Sequence, residues 1–510
     1  MNFQLRLIII CFRIVVKVGK MKYLSRIEWE FLQEEKEIIF IEETNLNLFE
    51  VTKIYLKRNE KYEILLDIIG KVNQHDSEEI KKLNQPVDIH IKTKFQTYDL
   101  LSCHIIKNTM TYPQNEYNVV FKVQNVERSI NKFSDNEEYF IKEWYLNSTQ
   151  DSLIFKRGTS FNINKEFIKT RDISKNSELN ILEESMPDSS LDSLFLELND
   201  YSILLQEVPQ KFGPDWSKNL GIEYQEELNI PPQDIRKKIV EIISFLMGRF
   251  LIKIGETHYD KDWNIINDSC QSPPIPIQID LKQICKKSDL SCIDFYEGFP
   301  LPIVEERICY IVNNYLNEDK IDLSYVIHQL LLSMIVPVEA EIVMIGACLD
   351  KLSEIWFKSS KSKSKGELIE KKKFDELIEE YVDNLKNSFN DYPKVFVKIE
   401  NAFQASGKQK VDFFLEELEL ETGNVEKDAR SYRNKPAHGH LLDDEGLFKL
   451  MYLTDAYRTL LNRIILKILN YEVYIDLTSG NILSIDEKLS EENYENYVKM
   501  VKEHLNNDST

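Results

Sequence analysis

Apolar residues recur in this chain at one spacing over its first third and at another after residue 320. From about 35 to 175 they alternate with polar ones. The stretch VDIHIKTKF (87–95) places Val87, Ile89, Ile91, Thr93 and Phe95 on one side of an extended backbone. KIYLKRNEKYEILLDIIG, YNVVFKVQNV and EYFIKEWYLN read as further short strands, parted by Asn, Asp and Lys turns. Strands in succession without helices between them imply an antiparallel sandwich or barrel. After 320 the period lengthens to that of helices. DLSYVIHQLLLSMIVPVEAEIVMIGACLDKLSEIWF (322–357) holds Pro337 as a helix start or kink, and GLFKLMYLTDAYRTLLNRIILKILNYE (446–472) carries a continuous apolar stripe. The expected class is therefore α+β multidomain, a β-rich N-terminal domain followed by an all-α helical bundle. The expected boundaries are an N-terminal extension at 1–20, a β-rich domain at 21–228, a helical connector at 229–320, the bundle at 321–475 and a fraying tail at 476–510.

Charge and cysteine usage narrow the function classes. The net charge is −21, which argues against general coating of nucleic acid and leaves room for a local basic cleft. The seven Cys show no CxxC pair and an irregular spacing, unlike a zinc site or a disulfide framework, so reduced thiols are expected. His75, His90 and His104 have no metal-ligand spacing. The apolar N-terminus is cut by Arg6, Arg13 and Lys17, so no window reaches the ~20 residues that span a bilayer. A cytoplasmic protein without a membrane partner is expected.

Against this acidic background, SYRNKPAHGH (431–440) gathers two of the eight His and one of only 14 Arg. Pro436 disfavours helical backbone at Lys435, so the helix carrying Arg433 is expected to end near Asn434. Gly439 permits a left-handed residue before the last bundle helix. Such a corner brings a guanidinium and an imidazole together at one end of the bundle. Arg433 offers a permanent charge matched to a phosphate, and His438 a proton carrier near neutral pH. Asn434 can hydrogen-bond a phosphate oxygen or hold the imidazole. This set suits RNA cleavage in which a 2′-hydroxyl attacks the neighbouring phosphodiester.

RNKPAHG within helical flanks resembles the RxxxxH signature of the HEPN superfamily, over about residues 320–475. The wider layout, through ISFLMGRFLIKIGETHYDKD, is similar to Apea-type anti-phage HEPN proteins. The resemblance implies a metal-independent endoribonuclease of toxin or phage-defence type, without cofactor. It implies Arg433, Asn434 and His438 as catalytic residues, and a homodimer through the bundle. It also implies an acidic residue on an earlier helix that orients the motif: Asp350 in GACLDKLSEI, with Glu339 and Glu341 as alternatives. Arg430, one turn before Arg433 on the same helical face, is a candidate for a further phosphate contact. His440 is either an auxiliary proton carrier or a loop residue.

KSSKSKSKGELIEKKK (358–373) holds seven Lys. It reads either as a solvated loop or as a flap with Lys361, Lys363 and Lys365 on RNA phosphates. The N-terminal domain is left to bind a trigger. Two other readings stay open. One is a non-catalytic HEPN module that binds a nucleotide, RNA or a protein partner. The other is a plain helix end in which Arg433 pairs with an acid and His438 packs.

Overall fold

A computed structural model describes the chain except residues 1–20, 27–28, 47–48, 73–84, 112–115, 133–136, 150–155, 158, 164–165, 175–176, 184–191, 210–212, 227–228, 275–279, 286–289, 296–303, 438, 440–441 and 509–510. It divides into a β-rich unit and a helical unit whose sequences interleave. The first comprises 1–231, 251–288 and 296–306, the second 232–250, 289–295 and 307–510. An α+β, two-part architecture is what the change of period implied.

Among the described residues the β-rich unit is built on a 15-stranded antiparallel sheet. Its strands include β1 (Phe49–Arg58), β2 (Ile64–Val72), β3 (Val87–Thr93), β4 (Gln96–Thr111), β5 (Glu116–Val123) and β6 (Asn125–Ile130). They continue with β7 (Phe140–Leu146), β8 (Asp192–Glu197), β9 (Ser202–Val208), β10 (Asn219–Gln225), β11 (Ile252–Tyr259) and β12 (Ile265–Gln271). Neighbours run β8-β9-β10-β7-β11-β12-β6-β4-β5-β2-β1. The long β4 pairs with β6 and β3 through its first half and with β5 through its second. Both halves feed one apolar core, in which Ile54, Leu66 and Phe121 meet Ile91, Leu100 and Val126. Alternation in VDIHIKTKF holds through Thr93, after which the Thr93 hydroxyl accepts from the amides of Phe95 and Gln96. That turn breaks the period and leaves Phe95 exposed. β7 is buried at every position and therefore shows no alternation. Its Lys142 meets Glu223 at 3.0 Å, both fully buried. A separate four-stranded sheet is formed by Met21–Arg26, Thr159–Ile163, Glu166–Ser174 and Ser177–Glu183.

The connector expected at 229–320 is not a unit. Its helix α1 (Gln233–Met247) belongs to the helical unit, while LIKIGETHY became β11, paired between β7 and β12. Gly248, in left-handed conformation, ends α1 and makes the handover possible.

The helical unit adds α2 (Val304–Asn317), α3 (Ser324–Ser333), α4 (Val338–Lys358), α5 (Lys371–Ile378), α6 (Val382–Ser388), α7 (Pro393–Glu400) and α8 (Gly407–Glu417). After these come α9 (Asn424–Tyr432), a single turn α10 (Asn434–Ala437), α11 (Asp444–Ile468) and α12 (Glu491–Asp508). Pro337 caps the start of α4. At the centre, α4 and α11 pack face to face through Ile342, Ile345, Leu349, Leu453, Tyr457 and Ile464, with α3, α8 and α9 around them. The tail does not fray. After the hairpin of Val473–Ile475 with Ile482–Ser484, α12 stacks Tyr494 and Tyr497 on Tyr452 of α11. No helix among the described residues is long and apolar enough to cross a membrane.

Candidate functional site

α9 runs from Asn424, where Glu426 accepts from the Gly423 amide, to Tyr432. Arg433 follows at its C-cap with helical angles. The chain does not leave helical geometry at Pro436. Asn434–Ala437 forms one more turn, because proline in a first turn removes an N–H that has no partner there anyway. The corner comes at Gly439, whose φ is +71°. Asp443 then accepts from the Gly446 amide and caps α11. His438 and His440 lie outside the described residues.

Arg433 is held from two sides. Its Nη2 donates to the Asp350 carboxylate at 2.9 and 3.2 Å, and its Nη1 to the Tyr457 hydroxyl at 3.4 Å. The side chain lies along α4 where Gly346 leaves room. A Cβ at Gly346 would come within 2.4 Å of Nη1 and 2.5 Å of Cδ. Gly346 and Asp350 are four apart, so both stand on one face of α4. Burial pushes the Tyr457 hydroxyl up to about 12 although Arg433 beside it pulls the other way, so the phenol stays protonated.

The neighbouring arginines show what sets Arg433 apart. Arg458 donates to Glu341 at 2.6 Å and to Ser333 at 2.7 Å, and Arg463 is buried against Glu426 and the Ile485 carbonyl. Arg430 donates to Asp412 of α8 at 2.8 Å. Their side chains are 3%, 1% and 12% exposed, against 26% for Arg433. Arg433 keeps guanidinium N–H groups turned to an open groove of about 1320 Å³, which Asn434, Arg430, Asp350 and Tyr457 also line. Its walls carry both signs of charge, Lys365, Lys408, Lys410 and Lys427 on one hand and Glu354, Asp412, Glu416, Glu419 and Glu421 on the other.

Asp350 is thus the acid that meets Arg433. Glu341 is taken by Arg458, and Glu339 is exposed on the first turn of α4. Of the three loop lysines, Lys365 lines the groove, while Lys361 pairs with Glu318 and Lys363 is exposed and does not line it. Their loop is fixed in place. Glu417 accepts from the amides of Lys363 and Ser364 and from the Trp356 indole, and these bonds outweigh burial to hold its carboxyl below the usual range. Sequence reasoning missed Gly346 and missed Tyr457 as a polar partner. Tyr457 sat in an apolar stripe as one more ring, and Gly346 carried no signal beyond a glycine inside a helix.

Among the described residues no group of three or more His, Cys, Asp or Glu is placed to bind a metal, and Cys103, Cys270, Cys285, Cys292, Cys309 and Cys348 are free thiols. Compared with protein-family models, curated proteins and solved structures, the chain matches none.

Proposed function

We propose that the helical unit is a HEPN-type endoribonuclease that cleaves RNA by 2′-hydroxyl attack. The observation that carries the reading is Arg433: a guanidinium braced by Asp350 and Tyr457, yet presenting N–H groups to a groove with Asn434 and Arg430 beside it. In the proposed reaction His438 takes the 2′-hydroxyl proton, or delivers one to the departing 5′ oxygen. Arg433 neutralises the charge that grows on the phosphorane, and Asn434 holds a phosphate oxygen or the imidazole. Pre-orientation by Asp350 spares the guanidinium a search at the moment of reaction. The products are a 2′,3′-cyclic phosphate and a free 5′-hydroxyl.

One Arg/His pair supplies few donors for both ends of the reaction, so two copies are proposed to act together through the bundle. An anti-phage or toxin-type role, with the β-rich unit receiving the trigger, extends the same reading.

The ion pair with Asp350 equally fits a plain helix end, and a groove that holds Arg430, Arg433 and Asn434 fits a module that binds RNA or a nucleotide without turnover. Incubation of the protein with RNA in EDTA separates these. Cleavage with cyclic-phosphate ends, lost in His438→Ala at unchanged melting temperature, supports the nuclease. Tight binding without cleavage supports the module, and neither binding nor cleavage supports the plain helix end.

A further inference from the structure

Beyond Asp350 the same face of α4 carries an aromatic ring. Phe357 follows Asp350 by seven residues, which returns the helix to one side about 10 Å further along its axis. Both residues line the groove of Arg433. Trp356 is buried against Phe414 of α8, whereas the Phe357 ring is half-buried and pairs with no other ring among the described residues. Its support is Gly366. A Cβ there would stand 3.2 and 3.3 Å from ring carbons, and the φ of +70° also favours glycine, so bare backbone is what fits under the ring. That backbone is held in turn. The Gly366 carbonyl accepts from the Ala405 amide at 3.2 Å, and Glu417 holds the amides of Lys363 and Ser364 just before it. The ring therefore sits on a fixed floor at the edge of the groove.

Cations gather at this end of the groove. Lys365 adjoins Gly366, and Cε of Lys410 lies 3.5 Å from the same Cβ position that meets the Phe357 ring. Neither lysine forms an ion pair among the described residues. The carboxylates of the groove are answered or stand elsewhere. Glu354, between Asp350 and Phe357 on α4, pairs with Lys351 at 3.2 Å and with Lys358, and Asp412 pairs with Arg430. Glu416 and Glu419 lie at and beyond the far end of α8, about 9 Å or more along its axis from Lys410. One end of the groove thus offers a ring with free cations beside it, and the other end repels phosphate.

We infer that Phe357, Lys365 and Lys410 form a subsite for one nucleotide of single-stranded RNA that flanks the reacting phosphate. The base stacks on the Phe357 ring, and the two lysines take the phosphates on either side of it. A carboxylate-bearing peptide would answer the lysines and leave the ring bare, whereas a nucleotide answers both. The subsite rests on the reading of Arg433 as the centre of an RNA groove, and it gives the strand a path. From Arg433 the strand runs along α4 toward Phe357, away from Glu416 and Glu419. Every base has a face that stacks, so the subsite adds affinity without sequence preference.

The test is fluorescence anisotropy of the full chain with a short labelled single strand of 2′-fluoro RNA, which carries no hydroxyl to attack and so reports binding apart from cleavage. Wild type is expected to bind, and Phe357→Ala to weaken binding by about tenfold. Phe357→Leu keeps apolar packing on Gly366 but loses the flat face. It is expected to weaken binding similarly at unchanged melting temperature, while Phe357→Trp retains it. Lys365→Ala with Lys410→Ala is expected to lower the slope of log Kd against log salt by about 1.4, a slope that Phe357→Leu leaves as in wild type. Binding by Phe357→Leu as tight as wild type overturns the subsite, as does a wild type that does not bind. Digestion of unmodified RNA in EDTA, run in parallel, keeps the two readings apart. A Phe357→Leu protein that binds and cleaves like wild type removes the subsite and leaves the nuclease. Binding that depends on Phe357 in a protein that never cleaves keeps the subsite and removes the nuclease.

Discussion

Arg433 is informative because of how it is supported. A guanidinium paired with a carboxylate on the surface contributes little to stability, about 0–1 kcal/mol. Replacing Asp350 by Asn should therefore leave the melting temperature nearly unchanged while slowing RNA cleavage, since the bracing charge is gone but the shape is kept. Gly346 gives a sharper probe. Gly346→Ala puts a methyl where Nη1 and Cδ lie, and the long side chain can swing away at small energetic cost. The expected outcome is a loss of cleavage of roughly tenfold or more, with a melting temperature equal to or above wild type because alanine favours helix. Unchanged turnover in purified Gly346→Ala would remove Arg433's placement from the account. Asp350 was legible in the sequence as an acid on an earlier helix, chosen ahead of Glu339 and Glu341, although one sequence cannot show which acid the fold brings to Arg433. The competition was settled by Arg458, which occupies Glu341 from α11, a contact between residues 117 apart in sequence.

Secondary structure was readable where one face is wet and one is dry. β3 and α4 fit that description, and so their period and the start at Pro337 came through. β7 was read as a strand from EYFIKEWYLN as well, although burial on both faces leaves it without alternation in exposure. α10 was not read, since proline was weighed as a terminator when it sits in a first turn. The tail looked polar enough to fray, but Tyr494 and Tyr497 are spaced to stack on a single ring, Tyr452, which local pattern cannot reveal. The lysine loop shows the same limit in reverse. A charge run reads as solvated, yet one carboxylate, Glu417, receives two backbone amides and an indole and fixes it. Glu417→Ala is expected to free this loop. Limited trypsinolysis should then cut between 358 and 365 several-fold faster than in wild type, and equal rates would show that the lysines are held by other contacts.

At the scale of the whole molecule the chain divides into two units whose sequences interleave: the boundary expected near 229 falls close to the first change of unit, at 231/232, but the chain returns to the β-rich unit at 251. Because α1 lies 60 residues and more before the bundle yet buries Ile239, Ile242 and Phe245 in the helical unit, a fragment of residues 321–475 is expected to be insoluble or molten. A cooperative melt from that fragment would contradict the interleaving. The β-rich unit carries its own pH signature. Burial alone would lower the pKa of His258 on β11, but hydrogen bonds to Glu138 and Glu256 outweigh it and raise it to about 9. A folded pKa above the unfolded value near 6.5 contributes stability that is complete below that pH and fades as pH rises through about 9. Melting temperature should accordingly fall between about pH 6.5 and 9 in wild type more steeply than in His258→Gln. The central claim concerns the groove, and the most direct test of it is end-labelled RNA incubated in EDTA with wild type and Arg433→Ala at matched melting temperatures. The account predicts cleavage with cyclic-phosphate ends by wild type and a loss of at least about a hundredfold in the variant. Equal cleavage by both proteins, or none by a folded wild type together with its dimer, would contradict it.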